Sequence, residues 1–270
     1  MTARGVVTLC DEHYLPGLIR LHESVHTSHP CPIVCFDAGL RPEQRAAASR
    51  LPDLEVLVLP DDPLISALAE ASANCRPLAK PSKRIWPLWI CPLLIRAAPL
   101  DDVVWLDCDI VVLRGLDVLF DMLDIGPVFT PENLAPEVTP NPPELYRLLP
   151  IDRSFDPRVP TVNGGVSAWR RGRDDAALDA YLRPVAAAAI DPAVRDAISW
   201  HDQGALIWAI QSLGLEDHVM DTTAWNLSVA NAGLASEVLR WDGGLVDRLR
   251  TALPDVNLLH WNGRPTPWSA

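Results

Sequence analysis

The sequence predicts an α/β fold with a mostly parallel central sheet, flanking helices and an irregular C-terminal half. Three observations carry that expectation. Short β-rich runs alternate with helical patterns through the first half, the spacing that builds βαβ units. The most apolar strand-like run, "VVWLDCDIVV" at 103–112, follows three shorter ones. Prolines then crowd residues 131–160 and break the regularity, as a loop-rich surface excursion would.

The elements follow in order. "GVVTLC" at 5–10 reads as the first strand. The segment after it, "LPGLIRLHESVH", has Pro16 at a helix start and the apolar stripe Leu18, Leu21 and Val25 to lay on a sheet. "PIVCFD" at 32–37, "RPEQRAAASRL" and "EVLVLP" at 55–60 repeat the alternation as strand, helix and strand. A long helix is expected from about Ile85 to Ala98, leading into the strand 103–112. In the second half, "VPTVNGGVSAWRRG" at 159–172 reads as a strand entered through a glycine turn. "DQGALIWAIQSLG" at 202–214 reads as a helix and "VNLLHW" at 256–261 as a late strand. No internal repeat or linker divides the chain, and 270 residues, 49% of them apolar, suffice for one domain with a sizeable core.

Charge narrows the partners. Lys+Arg 23 against Asp+Glu 35 gives a formal charge of −12, which argues against duplex nucleic acid and anionic membrane surfaces. A phosphorylated substrate therefore needs a local cation. Both lysines of the chain, Lys80 and Lys83, lie in "LAKPSKRIW" beside Arg84. The six cysteines lie mostly in or beside apolar runs and read as reduced thiols. No signal-like leader or transmembrane run is recognisable, so a soluble, cytoplasmic protein is expected.

Two motifs compete for metal chemistry. "LHESVH" contains H-E-x-x-H, His22 and His26 one helical turn apart with Glu23 between them, the arrangement of zinc hydrolases. The zinc continuation is missing, however, and the helix must pack its apolar side on the sheet. The histidines are better read as rim residues without a metal. "WLDCD" is sharper: Asp107 and Asp109, two apart in an extended segment, point to one side at a strand's end, where parallel sheets place ligand sites. Two acids there need a neutralising cation unless they merely cap the strand; oxygen donors suit Mg²⁺ or Mn²⁺, and a nearby imidazole favours Mn²⁺. "DCDIVV" also resembles the phosphatase motif of the haloacid dehalogenase superfamily, but that family places it on the first strand with a later lysine.

The end of the chain, "LLHWNGRPTPW", joins this picture. Together with "VVWLDCDIVV" it resembles the GT-A glycosyltransferases of family 8, the glycogenin and lipopolysaccharide galactosyltransferase type, which carry an H-x-x-G-x-x-K-P-W motif. His260, Gly263 and Pro267-Trp268 match it; Thr266 stands at the lysine, with Arg264 two residues earlier to replace it. "VNGGV" resembles the family's N-S-G or N-A-G strand, and "HDQGAL" its D-Q-D helix start, with Gly204 at the second acid.

The resemblance implies a GT-A fold, with a Rossmann-like nucleotide-binding half over 1–125 and an acceptor and sugar half over 126–270. It implies Mn²⁺ or Mg²⁺ held by Asp107, Asp109 and His260, and a nucleotide-sugar donor, a UDP-sugar above all. Thr8 and Asp11 would lie at the nucleoside, Lys83 and Arg84 at the nucleotide, Gly263 and Arg264 at the diphosphate. Asn163, Gly164 and Gly165 would line the donor-sugar and acceptor side. The family retains configuration at the sugar, which would put Gln203 near the anomeric centre and Asp202 on the donor sugar; an inverting enzyme would instead need Asp202 as base. The activity implied is hexosyl transfer to an acceptor hydroxyl. The alternatives are a non-catalytic nucleotide-sugar-binding protein and, further off, a D-x-D phosphatase or a sugar nucleotidyltransferase, which lacks its Gly-rich loop here.

Overall fold

A computed structural model of the chain describes residues 3–73, 86–132, 143–152, 161–198, 202–261 and 268. In chain order its strands are β1 (Arg4–Cys10), β2 (Ile33–Asp37), β3 (Leu54–Val58), β4 (Asp102–Leu106), β5 (Ile110–Val112), β6 (Val128–Pro131), β7 (Val162–Arg170), β8 (Leu227–Ser228) and β9 (Leu258–His260). The helices are α1 (Leu15–Ser28), α2 (Pro42–Ala48), α3 (Pro63–Ala73), α4 (Cys91–Ala97), α5 (Asp117–Met122), α6 (Pro143–Leu148), α7 (Asp175–Ile190), α8 (Pro192–Ala197), α9 (Asp202–Leu213) and α10 (Leu245–Ala252).

The main sheet has the order β3-β2-β1-β4-β7-β6. β3, β2, β1 and β4 run parallel, and β7 alone is reversed, pairing antiparallel with both β4 and β6. The mostly parallel sheet is therefore present, and it draws strands from both halves of the chain. A second, three-stranded sheet has the order β5-β9-β8.

Side-chain alternation explains why the main sheet is covered on both faces. On β4, Val103 and Trp105 join one core with α3, α4, α7 and α9, while Val104 and Leu106 join another with α1 and α5. Pro16 opens α1 in its first turn, and Leu18, Leu21 and Val25 are fully buried against the second face. Each such side chain contributes about 1.5–3 kcal/mol. The small sheet has its own core, where Val111, Leu259 and Trp261 meet Leu245 and Leu249 of α10.

Several local expectations fail for identifiable reasons. The run 103–112 is two strands: β4 stops at Leu106, and β5 resumes at Ile110 in the other sheet. The intervening Asp107-Cys108-Asp109 is a turn closed by Ile110 N donating to Asp107 O at 3.1 Å. The helix expected over 85–98 is a 3-10 turn, Trp86–Trp89, followed by the short α4. Pro87 and Pro92 lack backbone donors, so each stands in the first turn of its own segment and no single helix runs through both. Asn163, Gly164 and Gly165 lie within β7 as strand residues, not in a turn. Beyond the Pro-rich stretch, α7 runs for 16 residues across the sheet's first face. Among the described residues, no helix is long and apolar enough to cross a membrane.

Candidate active site

The break in the long apolar run builds the site. β1 and β4 are neighbours in the sheet while their connections leave in different directions, the switch point at which open α/β sheets form a crevice. At the end of β4 the chain turns, and Asp107 and Asp109 emerge where β5 pairs with β9. The register sets Ile110 opposite His260, and Trp261 N donates to Asp109 O at 2.9 Å. The two acids are thus brought beside a histidine from the far end of the chain. The nearby carboxylates come from a turn, whereas the sequence reading placed them on one side of an extended strand.

His260 Nε2 lies 3.2 Å from Asp109 Oδ1 and 3.8 Å from Asp107 Oδ2. One ligand atom from each of the three residues falls within 4.8 Å of the other two, the only such group of three or more His, Cys, Asp or Glu among the described residues. His260 is 3% exposed, while the Asp107 side chain is 39% exposed, so the cluster is closed behind and open in front. Burial works against charging the imidazole, yet Asp109 and then Asp107 outweigh it and raise the pKa of His260 above its ordinary value. Burial first, and then the same acids, raise the pKa of Tyr14. The pocket is strongly negative and seeks a cation.

The donor set fits a divalent metal. Two carboxylates and one imidazole suit Mn²⁺ or Mg²⁺, and three protein ligands leave coordination positions for phosphate oxygens. Secondary contacts aim the ligands: Trp105 Nε1 donates to Asp107 Oδ1 at 3.1 Å, Asp107 N donates to Gly165 O at 2.9 Å, and His260 Nδ1 meets Asn226 Oδ1 at 3.0 Å.

β7 forms the opposite wall, and its glycines give the space. A Cβ on Gly165 would fall 2.5 Å from His260 Cε1 and 2.9 Å from Asp107 Oδ2, and one on Gly164 would strike Asp202 Oδ2. Neither glycine has a positive φ; what they supply is room. Asn163 Oδ1 accepts from Gly165 N at 2.8 Å, and its Nδ2 donates to Glu132 and, at 3.5 Å, toward Gln203 Oε1. Gln203 Nε2 is buried and has no hydrogen-bond partner among the described residues, a donor awaiting an acceptor. Burial first, and Asp107 second, raise the pKa of Asp202 well above the carboxylate range; Tyr181 Oη donates to Asp202 Oδ2 at 3.5 Å. Glu132, Asn226 and Tyr181 escape a sequence reading because no motif marks them; position in the fold alone gathers them.

The remaining candidates divide. Thr8 is fully buried, with Oγ1 3.3 Å from Cys108 Sγ, and Asp11 Oδ1 accepts from His13 N and Tyr14 N ahead of α1. Thr8 lies beside the Asp107-Cys108-Asp109 turn, and Asp11 follows the end of β1. Lys83, Arg84, Gly263 and Arg264, together with Lys80 and Thr266, lie outside the described residues. Trp268 is described: its Nε1 donates to His13 O at 2.9 Å, and its ring packs on Tyr14 and Trp241. Trp268 is thereby placed over the start of α1. Cys10, Cys35, Cys91 and Cys108 are buried free thiols and Cys31 is a partly buried one.

The H-E-x-x-H helix assembles no metal cluster among the described residues. Glu23 pairs with Arg20, and His22 Nε2 bonds the Pro52 carbonyl at 2.8 Å. The rim assignment is corrected for His22, which is buried beneath its stacked neighbour His26.

No protein-family model matches the chain. No curated protein matches its sequence. Solved structures do. A galactosyltransferase, LgtC, in complex with donor and acceptor sugar analogs superposes with a TM-score of 0.60 at 18% identity, over 97% of this chain and 88% of its own. An active-site glutamine-to-glutamate mutant of that enzyme gives 0.60 at 19%, over 97% and 89%. The bifunctional glycosyltransferase WbbM, in its apo form, gives 0.58 at 16%, over 99% of this chain and 47% of its own. At such identities the likeness speaks for the backbone, and on that ground the chain has the GT-A glycosyltransferase fold.

Proposed function

We propose that this chain is a metal-dependent glycosyltransferase that moves a hexose from a nucleotide sugar, a UDP-sugar in the first instance, to an acceptor hydroxyl with retention of configuration. One observation supports this above the rest: on a GT-A fold, Asp107, Asp109 and His260 bring three ligand atoms within 4.8 Å at the end of β4. In this reading residues 1–125 hold the nucleotide and 126–270 the sugar and acceptor.

Asp107, Asp109 and His260 would hold Mn²⁺ or Mg²⁺, which when bound acts as a Lewis acid on the departing diphosphate. The chain's own groups do the rest. Thr8 and Asp11 border the nucleoside, and Lys83, Arg84, Gly263 and Arg264 are assigned to the phosphates. Gly164 and Gly165 leave room for the sugar, with Asn163 fixed between Glu132 and Gln203. Gln203 Nε2, unpartnered among the described residues, donates to an oxygen of the donor and stabilises charge near the anomeric carbon. Asp202, whose carboxyl pKa is raised by burial first and by Asp107 second, lies against Gly164 and Tyr181 Oη and is assigned to hydrogen bonding with a sugar hydroxyl; retention follows the family resemblance. The neighbouring galactosyltransferase also has a glutamine in its active site, that replaced in its mutant.

Purified protein incubated with Mn²⁺ and a panel of nucleotide sugars is expected to release nucleoside diphosphate from one of them, faster with an acceptor sugar present. Binding of a donor with neither hydrolysis nor transfer from any would overturn the catalytic reading in favour of a binding protein. Retention is read from the anomeric configuration of the product by NMR.

A further inference from the structure

We infer that Asn226 is a positioning residue for the metal site, holding His260 in the tautomer whose Nε2 lone pair faces the cation. This rests on the metal reading of Asp107, Asp109 and His260 above.

The proton positions follow outward from one fixed group. The Val166 carbonyl can only accept, and Thr130 Oγ1 lies 3.1 Å from it, so the threonine's single proton goes there. Thr130 Oγ1 is left with lone pairs for Asn226 Nδ2, 3.0 Å away. With its amide nitrogen donating to Thr130, Asn226 presents Oδ1 to His260 Nδ1 at 3.0 Å. A carbonyl oxygen accepts only, so Nδ1 carries the hydrogen. In the neutral ring Nε2 then has a free lone pair, and Nε2 is the atom facing Asp109 and Asp107. The opposite tautomer would aim an N–H at the two acids and offer a cation nothing.

Burial makes the relay necessary. Val166, Thr130, Asn226 and His260 are all buried, so water does not replace a missing member. The relay also crosses the fold: β7 and β6 of the main sheet supply Val166 and Thr130, and the small sheet supplies His260 on β9. Asn226 sits between them, immediately before β8, its N donating to Thr223 O at 2.9 Å. It therefore locks the orientation of a ligand on one sheet to the backbone of the other.

Mn²⁺ alone is the probe, titrated into the full chain without donor and followed by loss of the free-ion EPR signal, so no turnover is needed. N226L removes the acceptor at similar volume; N226D keeps it. N226L is expected to weaken Mn²⁺ binding by roughly 10–100-fold, the usual effect of losing a partner behind a metal ligand, and N226D to bind at or above the wild-type affinity. A folded N226L with wild-type affinity, or equal losses in both variants, would overturn the inference. Should N226L fail to fold, T130V frees the amide to turn over; it is expected to lose several-fold in affinity, and unchanged affinity there would equally overturn it. A wild-type chain that takes up no Mn²⁺ defeats the metal reading, and this inference with it. A wild-type chain that binds while N226L binds equally well defeats the inference alone.

Discussion

His22 and His260 are both buried imidazoles, 7% and 3% exposed, each with glutamate or aspartate nearby. They differ in what remains unspent. At His22 the neighbouring acid is consumed by Arg20, and Nε2 is tied to a backbone carbonyl. At His260 the structural hydrogen bond falls on Nδ1, and Nε2 faces the carboxylates of Asp109 and Asp107. A histidine beside an acid becomes a metal ligand when one nitrogen is held and the other is left facing negative charge.

The largest test of this contrast is removal of each imidazole. H260A or D109A is expected to lower metal-dependent turnover of the donor by roughly 10³-fold, since the Lewis acid supplies several kcal/mol, while H22A changes it by about twofold or less. Comparable losses in H22A and H260A, measured by diphosphate release at matched Mn²⁺, would break the comparison. G165A comes next: its methyl group enters the cage beside His260 Cε1 and Asp107 Oδ2, and a fall in Mn²⁺ affinity of about 10–100-fold is expected, read by calorimetric titration.

Stability sharpens the same contrast from the other side. H22A leaves the Pro52 carbonyl without its partner and is expected to cost about 1–3 kcal/mol in urea unfolding, whereas H26A, at an exposed position, stays within roughly 0.5 kcal/mol of wild type. The smallest expected effect is at Asp202, an acid packed beside a second acid where Glu23 has a cation. A carboxyl whose folded pKa lies above its ordinary 3.8 costs stability as pH rises past that value, because the unfolded chain releases the proton first. D202N of the metal-free protein should therefore melt roughly 2–4 °C higher at pH 7, with the gain shrinking toward pH 4. A gain that is constant with pH would remove the charge explanation.

Much of this was legible in the residues. Apolar alternation announced β1, β2, β3 and the α1 stripe, because burial on a sheet imposes its own period. The acids at 107 and 109 and the ordered set of N-G-G, D-Q and H-x-x-G pointed to one kind of site. The misreadings were also physical. A single apolar run concealed the passage from one sheet to another, since both halves are buried alike. Glycines in β7 looked like a turn, because a sequence does not distinguish a glycine needed for φ from one needed for space. H-E-x-x-H was set aside as a zinc site for want of its continuation, and the fold shows its Glu23 and His22 engaged by Arg20 and Pro52.

By itself, the sequence determined which groups have chemistry to offer and which faces must be hidden; both are properties of side chains and their period along the chain. Only the tertiary structure decided that His260 meets Asp107 and Asp109 while His22 and His26 join no group of possible metal ligands among the described residues. Distances between residues about 60 positions apart, for β4 against β7, and about 150 apart, for β5 against β9, are set by strand pairing, and pairing is a property of the folded sheets.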